Sequence, residues 1–110
     1  MKKSQRYKIE IFLPEQYIDA IREAMNTAGA CHVGNYDNCL NYMPVHGFWR
    51  PLEGAHPFKG TIREINKGTE YKIETVCDDE HLEAAIAAAR KAHPYEEPLI
   101  NIIPLYDMQS

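Results

Sequence analysis

Hydrophobic and polar positions along this chain fall into alternating runs, helical stripes and a terminal apolar segment. Tyr7, Ile9, Ile11 and Leu13 alternate with Lys8 and Glu10, the period-two pattern of a half-buried strand. Phe12 breaks the polar side and predicts contact with another surface. Pro14 suits the first turn of a helix, and Glu15 sits favourably near its positive end. Ile18, Ile21, Met25 and Ala28 follow at spacings of three and four, predicting an amphipathic helix that ends at Gly29.

Residues 30–60 are irregular. Cys31 to Asp37 read as a turn-rich loop containing Gly34 and Asn35. Leu40, Tyr42 and Val45 predict a strand, and Phe48 and Trp49 begin a second strand or the far arm of a hairpin around His46-Gly47. Pro51, Gly54, Pro57 and Gly60 punctuate a loop, Thr61 to Asn66 form a short extended piece, and Gly68 turns the chain. Alternation returns at Glu70–Cys77, where Tyr71, Ile73 and Thr75 oppose Lys72 and Glu74. Asp78 or Asp79 can cap the next helix, with Glu80 in its first turn, Leu82, Ala85, Ile86 and Ala89 as its inner stripe, and Arg90 and Lys91 at its negative end. Leu99 to Leu105 is the last strand.

This order, with right-handed crossovers, predicts an α+β, ferredoxin-like split βαβ sandwich. Its sheet is four-stranded and antiparallel, with two helices on one face and an extra hairpin or loop insertion. Phe12, Tyr42, Trp49 and Ile103 are expected on the open face, and aromatics there predict a homo-oligomer.

The length, 110 residues, fits a single domain, with residues 1–6 as a flexible, solvated N-terminal tail. A net charge of −4 with scattered Lys and Arg argues against a nucleic-acid surface. No apolar run reaches the roughly 20 residues of a membrane span, and the N-terminal alternation is unlike a signal peptide. Three cysteines without a CxxC pair suit reduced thiols in the cytoplasm.

The richest chemistry lies in Ala92-His93-Pro94-Tyr95-Glu96-Glu97-Pro98. Each proline pushes its predecessor out of the helical region, so His93 and Glu97 are expected to be extended. Successive side chains then point opposite ways, so Glu96 and Glu97 do not form one dyad. One should turn inward to bond the amides of the Gly34 or Gly54 loop, or to pair with Arg50. His93 with Glu96 or Glu97 could instead hold a metal or do acid–base work. Tyr36 and Asp37 could grip a ligand or simply shape a turn, and Arg50 could pair with Glu53. His32, Asp37 and Cys39 supply too few ligands for a dedicated zinc site.

Three segments resemble one family when taken together: Gly34-Asn35-Tyr36-Asp37, then Phe48-Trp49-Arg50-Pro51-Leu52-Glu53-Gly54-Ala55-His56-Pro57-Phe58, then Ala92 to Pro98. The combination resembles the insert domain of the YqfO-type, Nif-three-like proteins, and the resemblance spans roughly residues 7–106. That insert is similar to the PII and CutA proteins, which implies a ferredoxin-like fold assembled as a trimer. In the longer members the histidine and glutamate metal ligands lie in flanking halves without a counterpart in these 110 residues, so their hydrolase-like activity is not expected to carry over. Cys31 and His32 stand where members often have glycine and a basic or histidine residue.

The resemblance implies a non-enzymatic oligomeric module, trimeric or alternatively dimeric. It would bind a small molecule, a metal ion or a protein partner in clefts between subunits. Candidate ligand-binding residues are Tyr36, Asp37, Arg50, Glu53, His93, Tyr95, Glu96 and Glu97. No catalytic residue, resident metal or particular cofactor is assigned. Two alternatives stay open: a metal-dependent hydrolase using His93 with Glu96 or Glu97, and a purely structural oligomerisation unit.

Overall fold

The computed structural model describes the backbone of residues 2–107 and the side chains of residues 5–106. Met1 and residues 108–110 lie outside the described residues. The elements are β1 (Lys2–Leu13), α1 (Ile18–Thr27), β2 (Leu40–Trp49), β3 (Asn66–Asp78), α2 (Leu82–Ala92) and β4 (Ile100–Asp107). The strands form one antiparallel sheet in the order β2-β3-β1-β4. This is the expected split βαβ sandwich, with α1 and α2 packed side by side.

One face of each central strand builds the core. Ile9, Ile11 and Leu13 of β1 and Ile73 of β3 meet Ile21 and Met25 of α1 and Ala85 and Ala89 of α2. The alanines let α2 lie close to the sheet. Asp78 caps the turn into α2: its Oδ1 accepts from the His81 N–H at 3.0 Å and lies 2.7 Å from His81 Nδ1. This contact lowers the Asp78 pKa and raises that of His81.

Three local expectations are corrected. The segment read as a solvated tail is strand from Lys2 onward, with Lys2 opposite Asp107 and Lys3 opposite Tyr106. Backbone pairing with the far half of β4 overrides the polar side chains. No hairpin forms at His46-Gly47, because β2 runs unbroken to Trp49, and the insertion is a loop alone. Gly68 is no turn either; it lies within β3, directly opposite Gly47.

Tyr42 also departs from expectation. It stands opposite Ile73 and so shares the helix-facing side, where its ring lies 5.9 Å from Tyr71. Strand register, which sequence does not display, decides this. Phe12, Trp49 and Ile103 fall on the open face, judged by their partners Lys72, Asn66 and Lys8. At its centre Lys8 Nζ lies 3.2 Å from both Glu10 and Glu74, and Lys72 Nζ lies 3.3 Å from Glu74. Glu10 and Glu74 directly oppose one another, and the lysines between them relieve the repulsion.

Candidate functional site

The ladder between β1 and β3 ends at Leu13 opposite Tyr71, whereas β2 and β3 stay paired back to Asn66. The last five residues of that ribbon therefore project beyond β1. The 50–60 loop and the His93–Leu99 segment fill the space beside them, leaving a cleft of about 350 Å³. Phe12, Phe48, Trp49, Phe58 and Tyr95 give it aromatic walls, and Arg50, Glu96 and Glu97 add charge.

His93 ties this segment to the sheet. It is 8% exposed. Its Nε2 lies 2.7 Å from the Phe12 carbonyl oxygen, while Nδ1 accepts from the Tyr95 N–H at 3.1 Å. The two partners define a neutral ring with its proton on Nε2. Burial holds its pKa below the usual histidine value, against the Phe12 hydrogen bond and the Glu70 charge, which act the other way. Tyr95 OH donates to Glu70 Oε2 at 2.8 Å, and burial together with Glu70 raises the Tyr95 pKa strongly. The Tyr95 ring packs on Phe58, which in turn meets Tyr17 edge-on.

Glu96 braces the neighbouring loop: its Oε1 accepts from the His56 N–H at 3.1 Å. Tyr95 to Glu97 form a bend rather than an extended run, and Glu97 lines the cleft together with Glu96. Arg50 does not pair with Glu53; Glu53 meets Arg63 at 2.8 Å instead. Arg63 is held with φ 66 by its hydrogen bond to the Pro51 carbonyl, which turns the loop back on itself. Arg50 is left facing the cleft, and among the described residues no carboxylate pairs with it.

The Gly34–Asp37 segment is not part of this cleft. It lies before the start of β2, whereas Arg50 follows its end, roughly 30 Å away at strand spacing. The segment is pinned to α1 instead: Asn26 Oδ1 accepts from the Asn38 N–H at 2.8 Å and Asn26 Nδ2 donates to Asp37 Oδ2 at 3.5 Å. Tyr36 is 75% exposed. Within one chain, Tyr36, Asp37 and Glu53 are thus outside the cleft, His93 lies behind it, and Arg50, Tyr95, Glu96 and Glu97 line it.

Sequence reasoning missed Phe12, Trp49, Phe58 and Glu70 as parts of the cleft. Trp49 and Phe58 stand inside the quoted middle segment, and their shared aromatic character was the available signal. Glu70 is 25 residues from Tyr95, and no local pattern links them. The three residues weighed for zinc do not converge; among the described residues, Asp78, Glu80 and His81 are the group spaced to hold a metal. Asp78 and His81 are bonded to one another as a helix cap.

The cysteines are free thiols. Burial raises the pKa of Cys31 and pushes that of Cys77 up to about 11. Cys31 adopts φ 67, a conformation that favours glycine. In native buffer a thiol-reactive chromophore should titrate Cys39 quickly and the other two only after denaturation. Rapid reaction of all three would contradict the packing.

The fold defines the class: a ferredoxin-like, CutA-like α+β protein. CutA from Archaeoglobus fulgidus superposes with a TM-score of 0.69 at 18% identity, over 94% of this chain and 87% of that one. CutA from Synechococcus elongatus gives 0.71 at 15%, over 96% and 81%.

The particular resemblance is to Nif-three-like proteins, as the three sequence segments indicated. A Bacillus cereus protein related to NIF3 superposes with a TM-score of 0.80 at 30% identity, covering 96% of this chain and 27% of that one. The GTP cyclohydrolase 1 type 2 homolog of Halalkalibacterium halodurans is 39% identical over 99 residues, 90% of this chain and 27% of the relative. Its Bacillus subtilis counterpart is 37% identical over 98 residues, 89% of this chain and 26% of the relative. The chain thus spans about a quarter of the length of the curated relatives it matches. No family model matches it. No helix among the described residues is long and apolar enough to cross a membrane.

Proposed function

We propose that this chain is a non-enzymatic, homo-oligomeric module that takes up a small molecule in the cleft between the 50–60 loop and the His93–Leu99 segment. The observation that carries this is the cleft itself. Its volume of about 350 Å³ is in the range of small-molecule sites, and its aromatic walls with a few charged groups match their usual make-up. Arg50, Tyr95 and Glu97 would contact the ligand, while His93 and Glu96 would hold the walls in place.

The commitments of His93 and Glu96 favour binding over hydrolysis. Both ring nitrogens of His93 are engaged, so neither offers a lone pair to a metal or a substrate proton without unlatching the segment. Trimeric assembly is the state that the PII and CutA resemblance implies, and the helix-free sheet face supports it. Subunit association would also bring the distant Tyr36–Asp37 loop of one copy toward another. The free thiols favour a reducing compartment, the cytoplasm.

A thermal-shift screen of metabolites and divalent metals tests the reading. A ligand at 100 times its Kd adds about 2.7 kcal/mol, which should raise Tm by on the order of 10 °C for a chain of this size. The shift should vanish in Trp49→Ala. A shift that survives this substitution would put the site elsewhere, and no shift with any compound would leave a purely structural oligomerisation unit.

A further inference from the structure

We infer that the cleft recognises a flat aromatic carboxylate of one or two fused rings, an assignment that rests on the cleft being the binding site. Gly47 and Gly68 face one another across the β2–β3 ladder, and both line the cleft. Two missing side chains in register leave a bare strip of peptide backbone as its floor. A Cβ at Gly68 would come 3.2 Å from Trp49 Cη2, so the indole already lies over that half of the strip. A Cβ at Gly47 would meet nothing within 4 Å. The unfilled volume therefore adjoins Gly47, next to an indole whose Nε1–H is fixed by the Lys59 carbonyl at 3.0 Å. A flat floor beside held aromatic walls favours a thin, polarisable ring over a saturated one.

The charged groups set the substituent. Glu70 and Glu96 each already accept a hydrogen bond, from Tyr95 OH and the His56 N–H. Among the described residues Arg50, Lys59 and Glu97 line the cleft without such a partner. Two uncommitted cations against one uncommitted carboxylate favour an anion, and a guanidinium fork matches a carboxylate in bidentate fashion. The three carboxylates in the same lining weigh against a doubly charged phosphate.

The chain has one tryptophan, so its indole N–H gives a single nitrogen–proton NMR resonance that reports from the cleft. Titration with 2-naphthoate should move that resonance saturably, through the ring current of the stacked probe. Decahydro-2-naphthoate and 2-naphthylmethanol should bind at least tenfold more weakly, as should 2-naphthyl phosphate. Gly47→Val fills open space, so it should fold with an unchanged Tm and lose naphthoate binding. Arg50→Gln should weaken naphthoate about tenfold and leave 2-naphthylmethanol unchanged. Absence of any naphthoate-induced shift would overturn the assignment, as would equal binding of the saturated acid or tighter binding of the phosphate. If another compound from the thermal-shift screen then loses its effect in Gly47→Val, the cleft reading survives and the aromatic carboxylate alone fails. If naphthoate shifts the Trp49 resonance of Gly47→Val undiminished, the ring does not lie on the Gly47 floor and the assignment fails, while the cleft reading stands.

Discussion

Replacing His93 by alanine is expected to destabilise the protein by about 3 kcal/mol, measured by urea denaturation. The imidazole is buried and satisfies two backbone groups, the Phe12 carbonyl and the Tyr95 N–H. Its removal orphans both and opens a void beneath Tyr95; an unsatisfied buried polar group costs about 1–3 kcal/mol, and the lost packing adds to that. Because His93 latches the wall of the cleft, ligand shifts should fall with stability. A change below about 1 kcal/mol would show that the segment holds without it.

The same latch predicts sensitivity to acid. Burial depresses the His93 pKa in the folded protein, so the unfolded chain takes up the proton at higher pH. Stability from this group is therefore complete above the unfolded value of about 6.5 and is lost as pH falls toward and through the folded pKa. Protonation puts a hydrogen on Nδ1, where it opposes the Tyr95 N–H. The Glu70 charge softens this effect, since it favours the cation. The His81–Asp78 cap has mixed signs. The raised His81 pKa gives stability that is present below about 6.5 and lost as pH rises through its folded value. The lowered Asp78 pKa gives stability lost only at much lower pH. Comparing wild type with His93→Gln between pH 7 and 5 isolates the latch: the wild type should lose stability more steeply. Parallel slopes would count against the mechanism.

If the chain assembles through its helix-free face as proposed, Glu74→Lys is expected to convert the trimer to a monomer. Glu74 sits at the middle of the helix-free face, within 3.3 Å of both Lys8 and Lys72. The substitution places three ammonium groups around Glu10 alone. On a face left open to solvent, water still reaches these half-buried side chains and screens part of the change. In an interface it leaves uncompensated charge to be desolvated, a far larger penalty. Light scattering should give three times the 12.7 kDa chain mass for the wild type and the chain mass for the variant. Helical circular dichroism should be unchanged. Equal masses for both proteins would remove this face from the interface.

Much of the fold was legible because its signals are local. Ile9, Ile11 and Leu13 carry their strand period within seven residues of Tyr7, and Ile18, Ile21 and Met25 carry their helix period within eight. Asp78 caps its helix through a contact only three residues long. The glycines misled for an equally local reason. Gly47 and Gly68 read as turns because glycine is common there, yet they lie opposite one another in a ladder. Their value is the bare backbone they leave, under Trp49 at Gly68 and open at Gly47, and that pairing is set by a strand 21 positions away.

The candidate site was legible only in part. One of Glu96 and Glu97 was expected to bond a loop amide without the pattern saying which, and it is Glu96 that accepts from the His56 N–H. Its partner, the Glu70–Tyr95 bond and the His93–Phe12 contact span 40, 25 and 81 residues. No spacing rule reaches across such distances.

By itself, the sequence determined the element types, their order and the resemblance to Nif-three-like proteins, because periodicity, caps and proline-bounded segments act over a few neighbouring residues. Tertiary structure alone decided which residues share the cleft. It carried Tyr36 and Asp37 to the far end of β2, turned Arg50 away from Glu53, and placed Tyr42 behind the sheet. Strand register and the overhang of β3 past β1 fix those positions, and both are outcomes of packing the whole core.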